Sequence, residues 1–235
     1  MNRRGFTLID SMIGLCLTLL IFVSSLQFFG VGRRIFFKLR AAQEERLNVL
    51  AALEKIRLDT GRAGCGLQTP IKLGLAVGLE VQDGVLTLQS EGLSLTLEQD
   101  LAVGQTRVSC RSTEDVTKSR TVCFFDETTG ERHSLAAVGR GFILLSGPLE
   151  HSYKKEETKV VVLDIVSYFF DPAGRTVRRK ANASSAQPLL EEVAAWDVRR
   201  SEERLLITVS LKLGAKEKRH EMSFLPKNIA LVGGL

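Results

Sequence analysis

Met1-Asn-Arg-Arg-Gly-Phe-Thr-Leu-Ile-Asp10, with the uncharged residues 11–32 behind it, is the stretch on which the reading of the whole chain turns. A basic leader ends at Gly5, Phe6 opens an apolar segment, and Asp10 interrupts that segment once before Arg33 and Arg34 close it. As a helix, residues 11–32 rise about 33 Å at about 1.5 Å each, enough to cross a hydrocarbon core of about 30 Å. A secretory signal peptide has a shorter apolar core, roughly 7–15 residues, with small residues at a cleavage site after it. Here the run is longer, and the one processing point, Gly5–Phe6, lies in front of it, so the apolar segment stays in the mature chain. An acid at membrane depth costs about 3 kcal/mol and is usually functional and paired. Cleavage after Gly5 would free an α-amino group at the right depth to pair with Asp10 of the same chain or a neighbour. The plainer alternative is an uncleaved signal anchor with Asp10 at the membrane interface.

Beyond the apolar run, residues 33–60 contain no Pro or Gly and are rich in good helix formers. Val49, Leu50, Leu53 and Ile56 make an apolar stripe, with Glu44, Glu45, Arg46, Glu54, Lys55 and Arg57 as polar positions around it. Gly61, Gly64 and Gly66 supply the stop. A continuous helix from Phe6 to about Thr60 would be roughly 80 Å long, its outer end docking on a sheet. The stripe is too short for a coiled-coil stalk of several heptads.

From residue 67 the apolar period falls to two. Leu73-Leu75-Val77-Leu79-Val81 alternates, Asp83-Gly84 is a tight-turn pair, and 85–88 leads away. Further strands are predicted at 93–97, 105–110, 120–125, 141–146, 159–170, 175–179, 189–198, 204–213 and 217–225, with a turn at Asp171-Pro172-Ala173-Gly174 and an exposed loop over 180–187. Many strands after one long helix predict an α+β fold: the helix packed on an antiparallel β-sheet head.

Gly5-Phe6-Thr7-Leu8-Ile9-Asp10 resembles the prepilin signature of type IV pilins and type II secretion pseudopilins. The resemblance covers about the first 35 residues. It implies that prepilin peptidase cuts between Gly5 and Phe6, that Phe6 becomes an N-methylated terminus, and that Asp10 stands where the superfamily has glutamate. The implied domains are a leader over 1–5, a transmembrane and filament-core helix over 6–32, its amphipathic continuation over 33–60, and a β-rich extracytoplasmic head over 61–235. The head is larger and richer in strands than that of most major pilins. Thr60-Gly61-Arg62-Ala63-Gly64-Cys65 and the late strands before Pro226-Lys227-Asn228 are similar to segments of W-type minor pilins and J-type minor pseudopilins.

The resemblance implies a minor pilin or minor pseudopilin. Such a subunit sits in the inner membrane with its head in the periplasm, then passes into a pilus or pseudopilus, in the tip or initiation complex. Implied partners are prepilin peptidase, other minor subunits, the major subunit, the inner-membrane assembly platform and, before assembly, membrane lipid. In an oxidising periplasm Cys65, Cys110 and Cys123 can form bridges. Cys110 and Cys123, in what read as facing strands, are the preferred pair, but three thiols allow three single bridges, and Cys65 is a possible partner of either. Cys16 lies within the apolar run, where a lone thiol acts as a small hydrophobe.

A formal charge of +5, reduced to +3 when Arg3 and Arg4 leave with the leader, is too mild to point to nucleic acid. The basic cluster Arg175, Arg178, Arg179 and Lys180 has no interleaved aromatics and reads as a solvated hairpin loop. His133, His151 and His220 lie apart in the sequence and make no catalytic or metal-binding pattern. His220-Glu221 opens like a zinc-protease motif, but Phe224 occupies the place of its second histidine. No cofactor, metal or catalytic residue is expected. Trp196, between Val193 and Val198, reads as sheet packing. A signal-anchored periplasmic enzyme or sensor, with its N-terminal membrane helix uncleaved, is the alternative from a different class.

Overall fold

The computed structural model describes residues 8–201, 206–213 and 218–232. One helix, α1 (Leu8–Arg62, 55 residues), is followed by a β-rich domain in which every strand pairing is antiparallel. The fold is α+β. The chain divides into two compact units, one ending at Ala51 and one beginning at Ala52.

In the second unit, the last turns of α1 bury Ala52, Leu53 and Ile56. Leu50, just before it, is 56% exposed and so falls off the expected apolar stripe. The helix runs through Gly61 to Arg62 and ends in a turn where Gly64 and Gly66 take φ of +76° and +71°, a region open to glycine at little cost. A short helix, α2 (Gln68–Lys72), comes next. The expected strand over 73–81 is therefore cut to β1 (Leu79–Gln82). Leu73 and Leu75 instead pack, from the turn after α2, against the cluster of Leu67, Ala76, Phe125 and Leu163. The Asp83-Gly84 turn forms as expected, with φ of +50° and +76° joining β1 to β2 (Val85–Leu95).

The remaining strands of the larger sheet are β3 (Arg107–Ser109), β4 (Thr121–Phe125), β5 (Gly130–Gly139), β6 (Phe142–Leu145), β7 (Lys159–Asp171), β8 (Thr176–Ala181) and β9 (Gln187–Leu190). Their order is β1-β2-β7-β4-β5-β6-β3, with β8 and β9 branching beside β7. The long β7 is the axis. On one side it pairs with β2 over most of its length; on the other, Lys159–Val162 pair with β4 and Val166–Asp171 with β8. Both faces of β4 and of the first half of β7 are covered. Val122, Phe124, Val160 and Val162 face one cluster, and Cys123, Phe125, Val161 and Leu163 face the other. A strand covered on both faces reads as a continuous apolar run, which is why 159–170 showed no alternation.

A second sheet has the order β10-β11-β12, formed by β10 (Val193–Ser201), β11 (Leu206–Leu213) and β12 (Lys218–Phe224), and α3 (Lys227–Val232) follows it. The loop expected over 180–187 shrinks, because β8 extends to Ala181 and β9 begins at Gln187. The basic cluster is also not a solvated loop. Arg178 and Arg179 lie within β8 and pair with Asp171 and Asp59.

Candidate assembly surface

Gly5 and Phe6 lie outside the described residues, and Asp10 stands in the first turn of α1. Among the described residues α1 is the helix long and apolar enough to cross a membrane. Every large apolar side chain from Leu8 to Leu39 is 44–82% exposed. So large a continuous apolar surface marks a site of contact with lipid or protein. Two of the polar side chains on it are satisfied by the helix's own backbone. Thr18 Oγ1 donates to the Gly14 carbonyl and Ser25 Oγ to the Ile21 carbonyl, both at 2.8 Å. Such bonds let hydroxyls lie in hydrocarbon without an orphan donor. Open space surrounds the Cα of Gly14, Gly30 and Gly32, so a neighbouring helix can approach closely there.

In the second unit, a buried polar group anchors the end of the helix. Asp59, 7% exposed, accepts from the Tyr168 hydroxyl at 2.6 Å and from Arg179 Nε at 2.9 Å, with Lys55 Nζ 3.4 Å away. Burial pushes the Asp59 carboxyl up, but the Tyr168 and Arg179 donors and the nearby positive charges outweigh it and hold the carboxyl below the usual range. The segment Gly64–Gly66 continues the docking. Gly64 N–H donates to the Gln89 carbonyl at 2.8 Å, and Glu91 N–H donates to the Cys65 carbonyl at 2.9 Å. From the C-terminal side, Asn228 Nδ2 donates to the Gly61 carbonyl at 3.0 Å. Nothing in the sequence pattern pointed to the Asp59–Tyr168 and Asp59–Arg179 pairs, whose members lie more than a hundred positions apart.

All four cysteines are free thiols, so the expected Cys110–Cys123 bridge is not made. The two lie on opposite faces of the sheet. Cys110 belongs with Val122 and Phe124, whereas Cys123, one position along β4, belongs with Val161 and Leu163. They are not on facing strands either, since Cys110 bridges Leu97 while Cys123 pairs with Arg132 and Val161. Burial pushes each thiol up to about 11, which keeps it protonated and unreactive. Cys65 and Cys16 are exposed.

Two of the three histidines gather around one carboxylate. His133 Nε2 lies 2.6 Å from Glu131 Oε2 and His151 Nδ1 lies 3.9 Å from Oε1, with the Tyr153 ring beside His151. The Glu131 oxygens also accept the backbone N–H groups of Glu150 at 2.9 Å and His151 at 3.2 Å. Burial raises the Glu131 carboxyl, and these donors bring it below the usual range. Each oxygen thus accepts one N–H from the 148–153 loop, which pins that loop to β5, and Oε2 also meets His133. His220 stands apart in β12, and among the described residues no three His, Cys, Asp or Glu side chains gather as metal ligands would. Trp196 packs against the β1–β2 turn, its indole N–H donating to the Gly84 carbonyl at 2.7 Å.

No family model and no curated protein matches this chain. Solved structures that match part of it include the tailspike protein gp49 from Pseudomonas phage LKA1, at 13% identity over 30% of this chain and 14% of that one, with a TM-score of 0.28. The Gp54 tailspike of Acinetobacter baumannii bacteriophage AP22, solved with a capsular saccharide, matches at 13% identity over 33% and 15%, with a TM-score of 0.29. The matched region spans about a seventh of those tailspikes, and a likeness this slight carries no argument about fold or function.

Proposed function

We propose that the chain is a minor pilin or minor pseudopilin: processed between Gly5 and Phe6, held in the inner membrane by its first helix, and then built into a pilus or pseudopilus near its tip. One observation carries the reading. A helix that exposes only uncharged residues from position 11 to 32 has a single acid, Asp10, in its first turn, four positions after Phe6 of the Gly5-Phe6 pair. The apolar surface has two successive uses in this reading, facing lipid before assembly and other helices after it. The exposed glycines, the head docked on the helix end through Asp59, and the antiparallel sheets all suit a pilin-like subunit whose work is association, not chemistry.

The Glu131–His133–His151 group is the feature that favours the second reading, a signal-anchored periplasmic enzyme or sensor. Against it, both Glu131 oxygens are engaged by the loop they hold. Intact mass and N-terminal sequencing of the protein from its native membrane separate the two. The expected product begins at N-methyl-Phe6, and Gly5→Lys blocks its formation. A chain that keeps Met1 where the peptidase is active would sink the filament reading.

A further inference from the structure

Arg33, Arg34 and Lys38 of α1 have no carboxylate partner among the described residues, whereas Arg40, one turn on, pairs with Glu44 at 2.9 Å. At roughly 100° per residue, Arg33, Arg34, Lys38 and Arg40 fall on one side of the helix. Phe28, Phe29, Ile35, Phe36 and Leu39 fall on the other, all more than half exposed. The Arg33 guanidinium also lies 5.5 Å from the centre of the Phe37 ring. The apolar face therefore does not stop where the charges begin. It continues beside them through Leu39.

Length places this segment. Residues 11–32 already span a hydrocarbon core, and residues 33–40 add about 12 Å. A headgroup layer is about 5–8 Å deep on each side of the core, so the cations lie at and just beyond the lipid phosphates. Basic clusters at the end of a spanning helix attract anionic lipid, and aromatic rings settle at the same depth.

We infer that residues 28–40 form a binding surface for anionic phospholipid, with the Phe28–Leu39 face in the acyl boundary and Arg33, Arg34 and Lys38 on headgroup phosphates. This inference rests on the membrane-spanning reading of α1. The occupant is a bilayer surface rather than an acidic protein, because unpaired cations and exposed apolar residues share the same two turns, directly after the uncharged run. Lipid held there would have to be released for the helix to leave the membrane.

The test uses the full chain in bilayers of mixed phosphatidylglycerol and phosphatidylcholine, each lipid spin-labelled in turn, with electron spin resonance reporting lipid immobilised at the protein. The expected result is an immobilised fraction for both lipids, with phosphatidylglycerol favoured about fivefold, the effect of roughly one well-placed cation. In Arg33→Gln/Arg34→Gln/Lys38→Gln the preference falls below about twofold while the total immobilised fraction stays, and 0.5 M salt, about 4 Å of screening length, does the same to the wild type. Equal affinity for the two lipids, or a preference that survives the triple substitution, overturns the headgroup site and leaves the spanning helix standing. No immobilised lipid of either kind overturns the spanning reading, and the site with it.

Discussion

Asp59 shows how much of the second unit depends on one carboxylate. It is buried near the end of α1 and meets two donors from the β7–β8 hairpin, Tyr168 and Arg179. Removing one partner of a buried charged pair leaves the other uncompensated, so Asp59→Asn should cost about 2–3 kcal/mol. The pH dependence has a definite sign. A carboxyl held below its unfolded value contributes stability above that value, about 3.9, and loses it as pH falls through the folded value. The gap between wild type and Asp59→Asn should therefore be constant from pH 7 to about 5 and close in stronger acid. Urea unfolding of the full chain in detergent, followed through Trp196, the single tryptophan, reads this directly. A gap that does not narrow at all as pH falls from 5 towards 2 would mean the cost comes from packing and not from charge.

At the scale of elements, the turn ending α1 is a tightly constrained joint. A Cβ on Gly64, already at φ +76°, would lie 2.9 Å from Ile229 Cγ1 in α3. Gly64→Ala should thus destabilise the domain by about 1–3 kcal/mol, part backbone strain and part overpacking. Ile229→Ala in the Gly64→Ala background should restore some of the loss; a double variant whose cost is the plain sum would separate the strain from the contact. Glycine at this stop was legible in the sequence, as were the Asp83-Gly84 turn and the apolar β4 and β7, because each states its own local physics. Three elements were not. Gly130–Gly139 buries little beyond Glu131 and Leu135 and carries a bulge between Leu135 and Ala137, so β5 has no period to read. The alternation of Leu73, Leu75 and Val77 is that of a strand, yet Gln68–Lys72 is helical ahead of it with Pro70 buried in its first turn, and the chain from Leu73 to Val77 leaves that helix through a turn without joining the sheet. α3 is a six-residue helix, too short to declare a helical period. The same limit hid the site. Asp10 and the uncharged run are contiguous and could be read, whereas Asp59–Arg179 and Glu131–His151 exist only through tertiary pairing. Cys110 and Cys123 misled because alternation decides the face of a sheet, and a thirteen-residue spacing says nothing about it.

On the scale of the whole molecule, the two units bury apolar surface in opposite ways. From Ala52 on, apolar residues from both faces of the central strands are covered within the chain; from Leu8 to Leu39, none of the large ones is. The first unit must take its stability from what surrounds it, lipid or other helices, and the second carries its own. Substitutions in one should then leave the other's observable alone, since distant sites without shared partners add nearly independently. Leu19→Asp with Phe22→Asp sets two charges near the middle of the uncharged run, at about 2.5–3.5 kcal/mol each on an insertion scale. The carbonate-resistant membrane fraction should drop sharply, with the Trp196-monitored urea midpoint unchanged. Asp59→Asn should do the reverse, lowering the midpoint and leaving the membrane fraction at its wild-type level. If the double aspartate variant instead shifted the midpoint as far as Asp59→Asn does, the exposed helix would be contributing to the stability of the head, and its apolar surface could not be wholly available to lipid or to neighbouring subunits.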